Sequence, residues 1–288
     1  MTDLHYTMLI EPRELALLAS SGVDVAVLDC RHDLARTQWG AQAYAEGHIP
    51  GAEHAHLDRD LSGPVTRTSG RHPLPDPREL IATFARWGIG RDTQVVAYDQ
   101  ANGAIAARLW WLLRFYGHDR VSVLDGGLAG WHSAGLPLTQ APAPTRRIAA
   151  FDRAPALESV VSSNELAAQL GQPQALRPVL IDARTADRFA GHNETLDPVA
   201  GHIPGARNHP FTRNVDNGRF LAPEALRRSW SETLADSPPS STVAMCGSGV
   251  TACHNLLAMR LADLAGARLY AGSWSEWIRE PGRPVARG

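Results

Sequence analysis

The chain has few cysteines, no long apolar run and no excess of charge of either sign. Its three cysteines, Cys30, Cys246 and Cys253, are too few for a disulfide framework and suit a reducing compartment. No stretch approaches the roughly 20 consecutive apolar residues of a membrane span, so we expect no contact with a membrane. The 28 Lys+Arg and 30 Asp+Glu residues give a formal net charge of -2, which leaves no electrostatic footprint for nucleic acid.

The start of the chain lacks the basic and apolar regions of a signal peptide, so we expect a cytoplasmic protein. Its composition, 44% hydrophobic and 20% charged, is that of an ordinary globular protein. With 288 residues the chain is long enough for two domains, each with its own core.

The strongest signal of organisation is an internal repeat. The sequence His-Ile-Pro-Gly-Ala occurs at 48–52 and again at 202–206. Two further pairs follow the same order, Asp29-x-Arg31 with Asp182-x-Arg184 and Trp131 with Trp277. A repeat of about 150 residues has the size of a domain, so we predict a duplicated domain rather than a solenoid. Because a stretch rich in Pro and Ala separates the copies, we place a first domain at 1–140, a linker at 141–156 and a second domain at 157–288.

Each copy alternates short apolar runs with helical patterns. In the second copy, apolar runs at 178–182, 241–245 and 267–270 predict strands, and the pattern at 250–265 predicts a helix. Such alternation is typical of an α/β fold with a mostly parallel sheet flanked by helices. Ligands bind at the carboxyl ends of the strands of such sheets, and Cys246 directly follows one of these strands.

Cys246 stands between an apolar run and a helix, at the start of a glycine-rich turn. Its thiol meets the unpaired N–H groups and the positive dipole end of that helix, which favour the thiolate over the thiol. The position therefore predicts a nucleophile, and a buried structural cysteine is the alternative.

The repeat provides an internal control, because features of both copies indicate the fold and features of one copy indicate function. Asp29 and His48 have counterparts in the second copy, which favours structural roles for both. Cys246 has none, since Asp99 stands at the matching place. Arg188 is unmatched as well, which makes it a candidate for holding an anion. A solvated surface arginine is the alternative for Arg188.

The segment Cys246–Ala252 resembles the active-site loop of the rhodanese superfamily, and its neutral Gly-Ser-Gly resembles the 3-mercaptopyruvate sulfurtransferases in particular. The duplicated domain, both His-Ile-Pro-Gly-Ala turns and the segment Gly272–Trp277 fit that family as well. The resemblance spans nearly the whole chain. It implies tandem α/β domains, each with a mostly parallel five-stranded sheet flanked by helices, and a catalytic cysteine in the second domain only.

The resemblance also implies sulfur transfer by double displacement. Cys246 takes sulfur from a small donor as a persulfide, and a thiol, cyanide or thioredoxin then accepts it, without a metal or another cofactor. Arg188 matches the family arginine that binds the donor carboxylate, and Ser248 matches a serine that helps to move a proton at the donor. The loop would hold the anionic persulfide through its backbone, with the residues Gly247, Gly249, Val250 and Thr251.

Two departures from the family leave the donor open. The loop Ala190–Ala200 lacks the second substrate arginine that mercaptopyruvate enzymes carry there, and Ala271 stands where the family often has Asp. Thiosulfate is the alternative donor, and enzymes that prefer this dianion resemble one another in having cationic residues beside the cysteine. Gly247 and Ser248 supply no such charge, which favours 3-mercaptopyruvate.

Further candidates for the site lie in the first copy. Arg71 and His72 belong to a loop that we expect to reach the active site, although any polar loop contains such residues. Asp29 or Asp33 with His48 would form a proton relay towards Ser248, and a role in the turn is the alternative for His48.

Two other classes of protein are weighed against a sulfurtransferase. A cysteine phosphatase of the dual-specificity type needs a longer loop and an arginine that closes it on the phosphate, whereas Ala252 closes the loop here. A non-catalytic sulfur carrier or partner-binding module would not need the intact loop. Addition of one sulfur atom to Cys246 distinguishes an enzyme from such a module.

Overall fold

The computed structural model describes residues 5–288, which form two compact units. Unit 1 contains the described residues up to Gly63, together with Pro75–Leu157 and Asn217–Phe220. Unit 2 contains Pro64–Leu74, Glu158–Asp216 and Leu221–Gly288. The units follow the two copies of the repeat, except that each includes one short segment from the other copy's part of the chain. The segment Pro64–Leu74, which carries Arg71 and His72, therefore folds with unit 2.

Unit 1 is built on a parallel sheet. Its strands are β1 (Leu9–Ile10), β2 (Val25–Asp29), β3 (Glu53–His54), β4 (Gln94–Tyr98) and β5 (Val121–Leu124). They lie in the order β1-β5-β4-β2-β3, and each pairs in parallel with its neighbours. Its helices are α1 (Pro12–Ser20), α2 (Trp39–Glu46), α3 (Leu57–Asp60), α4 (Pro77–Arg86), α5 (Ala106–Phe115) and α6 (Gly127–Ser133). All five residues of β4 are buried, which explains its nearly continuous apolar sequence.

Unit 2 repeats this arrangement with a shorter sheet. The strands of its sheet are β6 (Val179–Asp182), β7 (Arg207–Asn208), β10 (Thr242–Met245) and β11 (Arg268–Leu269). Two short strands belong to neither parallel sheet: β8 (Val215–Asp216) lies in unit 2, and β9 (Arg219–Phe220) lies in the segment Asn217–Phe220 of unit 1. The parallel order is β11-β10-β6-β7, and a single parallel bridge between Val160 and Leu269 takes the place of a fifth strand. Its helices are α7 (Ser163–Leu170), α8 (Ala186–Ala190), α9 (Pro223–Leu234), α10 (Thr251–Leu261) and α11 (Ser273–Trp277). The predicted α/β class, with a mostly parallel sheet in each unit, is confirmed.

The helix predicted at 250–265 is α10, and it ends earlier than predicted. Asp263 turns into the left-handed region with a φ of 57°, and the amide of Leu264 donates back to the Met259 carbonyl at 2.8 Å. No helix within residues 5–288 combines the length and the apolar character required to cross a membrane.

The Asp-x-Arg pair of each copy ties the end of a strand to the following turn. Arg31 Nη2 donates to Asp29 Oδ2 at 2.6 Å and to the carbonyl of Gly47 at 2.8 Å. In unit 2, Arg184 makes the same two contacts, with Asp182 and with the carbonyl that precedes its own turn. Both carboxylates are fully buried, so each depends on its arginine. These matching contacts favour the structural interpretation of Asp29.

The histidine of each turn stacks on a neighbouring aromatic ring. His48 lies on Tyr44 with 3.9 Å between ring centroids, and His202 lies on Phe189 with 3.8 Å. The ring nitrogens of His48 face the carbonyl oxygens of Tyr44 and Ala141, at 2.8 Å and 3.0 Å. Both nitrogens are therefore engaged by the backbone of unit 1, which favours the role in the turn over the proton relay.

A buried polar network supports β7 and α9. His209 is fully buried, stacks on Trp230 at 3.8 Å and bonds through its two ring nitrogens to Thr233 and Asn214. Burial lowers the pKa of His209 to about 4, because the interior disfavours the charged ring. The network therefore requires a neutral histidine.

The pH dependence of stability follows from this neutral histidine. An unfolded histidine binds a proton near pH 6.5, so between pH 6.5 and 4 the unfolded state binds more protons than the folded state and stability falls as the pH falls. We expect wild type to lose about 3 kcal/mol more than His209→Asn over this interval. Urea denaturation at several pH values measures the difference, with His192→Asn in an exposed loop as the control. Equal pH dependence in wild type and His209→Asn would contradict the prediction.

Candidate active site

Cys246 lies directly after β10, at the carboxyl end of the sheet of unit 2. Its sulfur accepts hydrogen bonds from the amides of Ser248 and Gly249, with N–Sγ distances of 3.4 Å and 3.1 Å. The residue is 2% exposed, and the loop leads straight into α10, which begins at Thr251 after Val250. The amides of the loop thus form a cradle of positive partial charge around the sulfur, which stabilises an anion there.

The segment Gly272–Ser275 fixes the backbone of this loop. Ser273 Oγ accepts the amide of Cys246 at 3.0 Å and donates to the carbonyl of Tyr270 at 2.9 Å. The amides of Trp274 and Ser275 donate to the carbonyls of Cys246 and Gly247 at 3.0 Å and 2.9 Å. Sequence reasoning recognised this segment as part of the repeat and missed that its serines position the cysteine.

The matching loop of unit 1 holds a carboxylate in place of the sulfur. Asp99 Oδ1 accepts the amides of Ala101 and Gly103 at 3.2 Å and 3.0 Å, and its Oδ2 accepts those of Ile105 and Ala106 at 2.8 Å and 3.2 Å. Asp99 is 2% exposed. The cradle is therefore present in both units, but in unit 1 its own side chain occupies it and no nucleophile is available there.

Ser248 and His72 form a hydrogen-bonded pair beside the cysteine. The distance between Ser248 Oγ and His72 Nδ1 is 2.7 Å, and both residues are buried. His72 comes from Pro64–Leu74, whose backbone is anchored in unit 2 because the amide of Arg71 donates to Ser275 Oγ at 3.1 Å. The structure thus places His72 beside the loop and gives Ser248 a hydrogen-bonding partner.

Arg188 is held by two buried carboxylates next to the same loop. Its Nε and Nη2 make a bidentate contact with Glu194, including an Nη2–Oε1 distance of 2.8 Å, and Nη2 also reaches Asp197 at 3.3 Å. Arg71 forms an ion pair with Asp197 from the other side. The guanidinium of Arg188 is therefore part of an ordered ion-pair network, unlike a solvated surface arginine.

The remaining cysteine of this region is packed into the interior. Cys253 is fully buried on α10, and its thiol donates to the carbonyl of Gly249 at 3.3 Å. Cys30, in unit 1, is buried as well, and burial raises the pKa of its thiol. The sulfur of Cys246, by contrast, accepts two backbone amides.

One group of potential metal ligands occurs among residues 5–288, and it lies in unit 1. The ligand atoms of His32, His56 and Asp58 are within 4.8 Å of one another. However, His56 Nδ1 accepts the backbone amide of Asp58 at 3.2 Å, which leaves the ring proton on Nε2. A protonated nitrogen cannot bind a metal, so His56 is not a ready ligand in this conformation.

Comparison with known proteins identifies consistent relatives. A family model described as a rhodanese-like domain matches residues 11–134 and again residues 162–280. The chain is 52% identical over 268 residues to a protein named probable 3-mercaptopyruvate sulfurtransferase in Pseudomonas aeruginosa, covering 92% of this chain and 93% of that protein. It is 39% identical over 284 residues to a protein named putative thiosulfate sulfurtransferase SseB in Mycobacterium tuberculosis, covering 98% and 97%.

Solved structures show the same similarity. The 3-mercaptopyruvate sulfurtransferase from Leishmania major superposes with a TM-score of 0.83 at 33% identity, covering 94% of this chain and 74% of that chain. The crystal structure of SseA from Escherichia coli, described as a 3-mercaptopyruvate sulfotransferase with a rhodanese fold, superposes with a TM-score of 0.79 at 32% identity, covering 94% and 100%.

The backbone at Gly249 leaves no room for a side chain in the cradle. Its φ is +79°, and a Cβ there would lie 2.2 Å from the carbonyl oxygen of Ala271. We expect Gly249→Ala to displace the loop and to lower the rate of reaction at Cys246 about 100-fold. The matched control is Gly205→Ala, where φ is +83° and a Cβ would have no neighbour within 4 Å. That control is expected to cost about 1 kcal/mol in stability with its reactivity unchanged.

Iodoacetamide labelling of Cys246 in the two variants, with urea denaturation of each, measures both effects. If Gly249→Ala reacts like Gly205→Ala, the loop tolerates a side chain at that position and the importance of the close approach to Ala271 is disproved.

Proposed function

Because the chain belongs to the family of rhodanese-like domain proteins and is a sulfurtransferase, we propose that it transfers sulfur from 3-mercaptopyruvate through a persulfide on Cys246. The observation that supports this most directly is the cradle, in which two amides contact the sulfur while Arg188 lies beside the loop. A nucleophilic thiolate and a cation for the donor's carboxylate are the two groups that this reaction requires.

The first half-reaction forms a sulfur–sulfur bond. The Cys246 thiolate attacks the sulfur of 3-mercaptopyruvate, and the carbon–sulfur bond of the donor breaks. Its electron pair passes to the carbon as the enolate of pyruvate. The proton of the donor thiol ends on that carbon, which yields pyruvate and an anionic persulfide on Cys246. The amides of the cradle, with Gly247, Val250 and Thr251 completing the loop, stabilise this anion.

Ser248 and His72 provide a path for that proton. Their 2.7 Å hydrogen bond lets the serine hydroxyl exchange a proton with the imidazole without a change of position. We therefore assign the transfer of the donor's proton to this pair. We assign no part of this path to His48 or Asp29, because their contacts lie in the turn and at the strand end of unit 1.

The second half-reaction returns the cysteine to its starting state. An acceptor nucleophile attacks the outer sulfur of the persulfide, the sulfur–sulfur bond breaks, and the Cys246 thiolate is the leaving group. A sulfurtransferase of this family uses a sulfur donor and a thiol acceptor in general terms. A small thiol, cyanide or thioredoxin can each supply the attacking atom, and we propose a cytoplasmic setting in which such thiols are reduced.

Thiosulfate is the second candidate donor, because the relative from Mycobacterium tuberculosis carries that name and two cations lie near the loop. The charges of Arg71 and Arg188 are balanced by Asp197 and Glu194, so the site offers no net charge for a dianion. A monocarboxylate carries a single negative charge, so on the exposed side of the two arginines it meets less electrostatic repulsion from Asp197 and Glu194 than a dianion does. We therefore favour 3-mercaptopyruvate.

Formation of the persulfide tests the proposed reaction. After incubation with 3-mercaptopyruvate in the absence of an acceptor, Cys246 is expected to gain the mass of one sulfur atom, and Cys246→Ser to gain none. Mass spectrometry of the intact protein and of its peptides measures this, with Cys253→Ser as the matched control that retains the gain.

The preference for one donor is tested by steady-state kinetics. We expect kcat/KM for thiosulfate to be at least ten-fold lower than for 3-mercaptopyruvate, a difference of about 1.4 kcal/mol in free energy.

The possible results separate the candidates. Faster transfer from thiosulfate would reverse the choice of donor and leave the persulfide in place. A protein that gains no sulfur from either donor would instead be a non-catalytic module.

The proton path has its own test. We expect His72→Gln to lower kcat with 3-mercaptopyruvate about 100-fold, because the serine loses its proton partner. Alkylation of Cys246 by iodoacetamide needs no such proton and should keep its rate within about two-fold. His192→Gln, in an exposed loop of the same unit, serves as the control for a lost histidine. An unchanged kcat in His72→Gln would exclude the assigned path.

A further inference from the structure

Ser275 contacts the main chain on both sides of the Ser248–His72 pair. Its amide donates to the carbonyl of Gly247 at 2.9 Å, and its hydroxyl oxygen accepts the amide of Arg71 at 3.1 Å. Gly247 directly precedes Ser248 in the chain. In the same way, Arg71 directly precedes His72. One residue, itself only 2% exposed, therefore holds the main chain next to each member of the pair.

The segment that carries His72 lies directly on the segment that carries Ser275. A Cβ on Gly70 would stand 2.5 Å from the carbonyl oxygen of Gly272 and 2.9 Å from Ser275 Oγ, so the two main chains are too close for a side chain at position 70. The hydroxyl of Ser275 donates its own proton to the carbonyl of Gly272 at 3.4 Å. That bond fixes the rotation of the hydroxyl and leaves a lone pair for the Arg71 amide.

Unit 1 holds its own short segment from the other copy with a different side chain. There the carboxylate of Asp125 accepts the amide of Phe220 at 2.9 Å, and Arg219 Nε lies 3.3 Å from the same carboxylate. Burial raises the pKa of Asp125, while the Phe220 amide and Arg219 lower it. A carboxylate in this role therefore depends on a cation beside it.

The two copies place the acceptor for this amide at different positions. When the copies are aligned on the tryptophan near the end of each, Asp125 matches Ala271 and Ala129 matches Ser275. Unit 1 thus has its acceptor at the first position and alanine at the second, and unit 2 has the reverse. Because the acceptor of unit 2 is a neutral hydroxyl, it holds the segment without a buried charge beside the cysteine loop.

We propose that Ser275 is a positioning residue that sets the distance between Ser248 and His72. This inference rests on the proposed function, because it takes that pair as the path of the donor's proton. Proton transfer requires a short hydrogen bond, so the separation of 2.7 Å depends on both main chains keeping their places. Ser275 acts through the residue that precedes each partner.

Removal of the hydroxyl tests this role. We expect Ser275→Ala to lower kcat with 3-mercaptopyruvate about ten-fold, because the amide before His72 loses its acceptor and the imidazole moves away from Ser248. KM should stay within about three-fold of wild type. Alkylation of Cys246 by iodoacetamide should keep its rate within about two-fold, because the Ser275 amide still holds the loop.

A second buried serine of unit 2 provides the matched control. Ser163→Ala also removes a buried hydroxyl, one that bonds to the hydroxyl of Tyr270. We expect this variant to keep the kcat of wild type. Urea denaturation of both variants measures what each loses in stability.

A double-mutant cycle separates positioning from a general weakening of the unit. If Ser275 acts through His72, adding Ser275→Ala to His72→Gln should lower kcat by less than about two-fold further. A general weakening would instead lower kcat about ten-fold in both backgrounds. That result, or an unchanged kcat in Ser275→Ala alone, would overturn the positioning role and leave the proposed function intact.

The ring of His72 provides a readout that needs no sulfur transfer. Its two nitrogens report the tautomer and the hydrogen bond in proton–nitrogen correlation spectra, in which Ser248→Ala defines the ring without its partner. We expect Ser275→Ala to shift the Nδ1 signal towards that reference and Ser163→Ala to leave it in place. An Nδ1 signal that Ser275→Ala does not move would contradict the proposal, whereas a wild-type Cys246 that gains no sulfur would contradict the proposed function.

Discussion

Hydrogen bonds from backbone amides to one side chain organise the loop at the carboxyl end of the sheet in both units. In unit 1 the anion is the carboxylate of Asp99, and in unit 2 the acceptor is the sulfur of Cys246. The cradle requires a strand that ends at a fixed point, a loop in which Gly249 can adopt a positive φ, and a helix that begins immediately afterwards. The duplicated fold therefore supplies an anion site twice, and the identity of one side chain decides whether that site is filled or reactive.

The residues around Cys246 form two groups, one that fixes the backbone of the loop and one of charged side chains beside it. Ser273 and the amides of its segment fix the backbone of the loop, and Ser275 also anchors Arg71 through its main chain. A displacement of that segment would thus move the backbone of Cys246 and that of Arg71 together.

Charge balance explains how the site can hold a cationic pair without a partner ligand. Asp197 and Glu194 neutralise Arg71 and Arg188 from beneath, so the free enzyme does not contain two uncompensated cations at close distance. The loop Ala190–Ala200 contains no arginine, and the second guanidinium beside Gly247 comes instead from Arg71 of Pro64–Leu74.

The sequence by itself determined the fold class, the duplication and the position of Cys246, because these depend on local patterns. Apolar runs, glycines at turns and repeated motifs act over a few residues, and the comparison between copies separated Cys246 and Arg188 from the shared Asp29 and His48. Only the tertiary structure decided which residues surround the cysteine. Ser273, Asp197 and Arg71 are far apart in the chain, and no periodicity links them. Their proximity arises from packing of Pro64–Leu74 and Gly272–Ser275 against the loop, a non-local arrangement that sequence spacing does not encode.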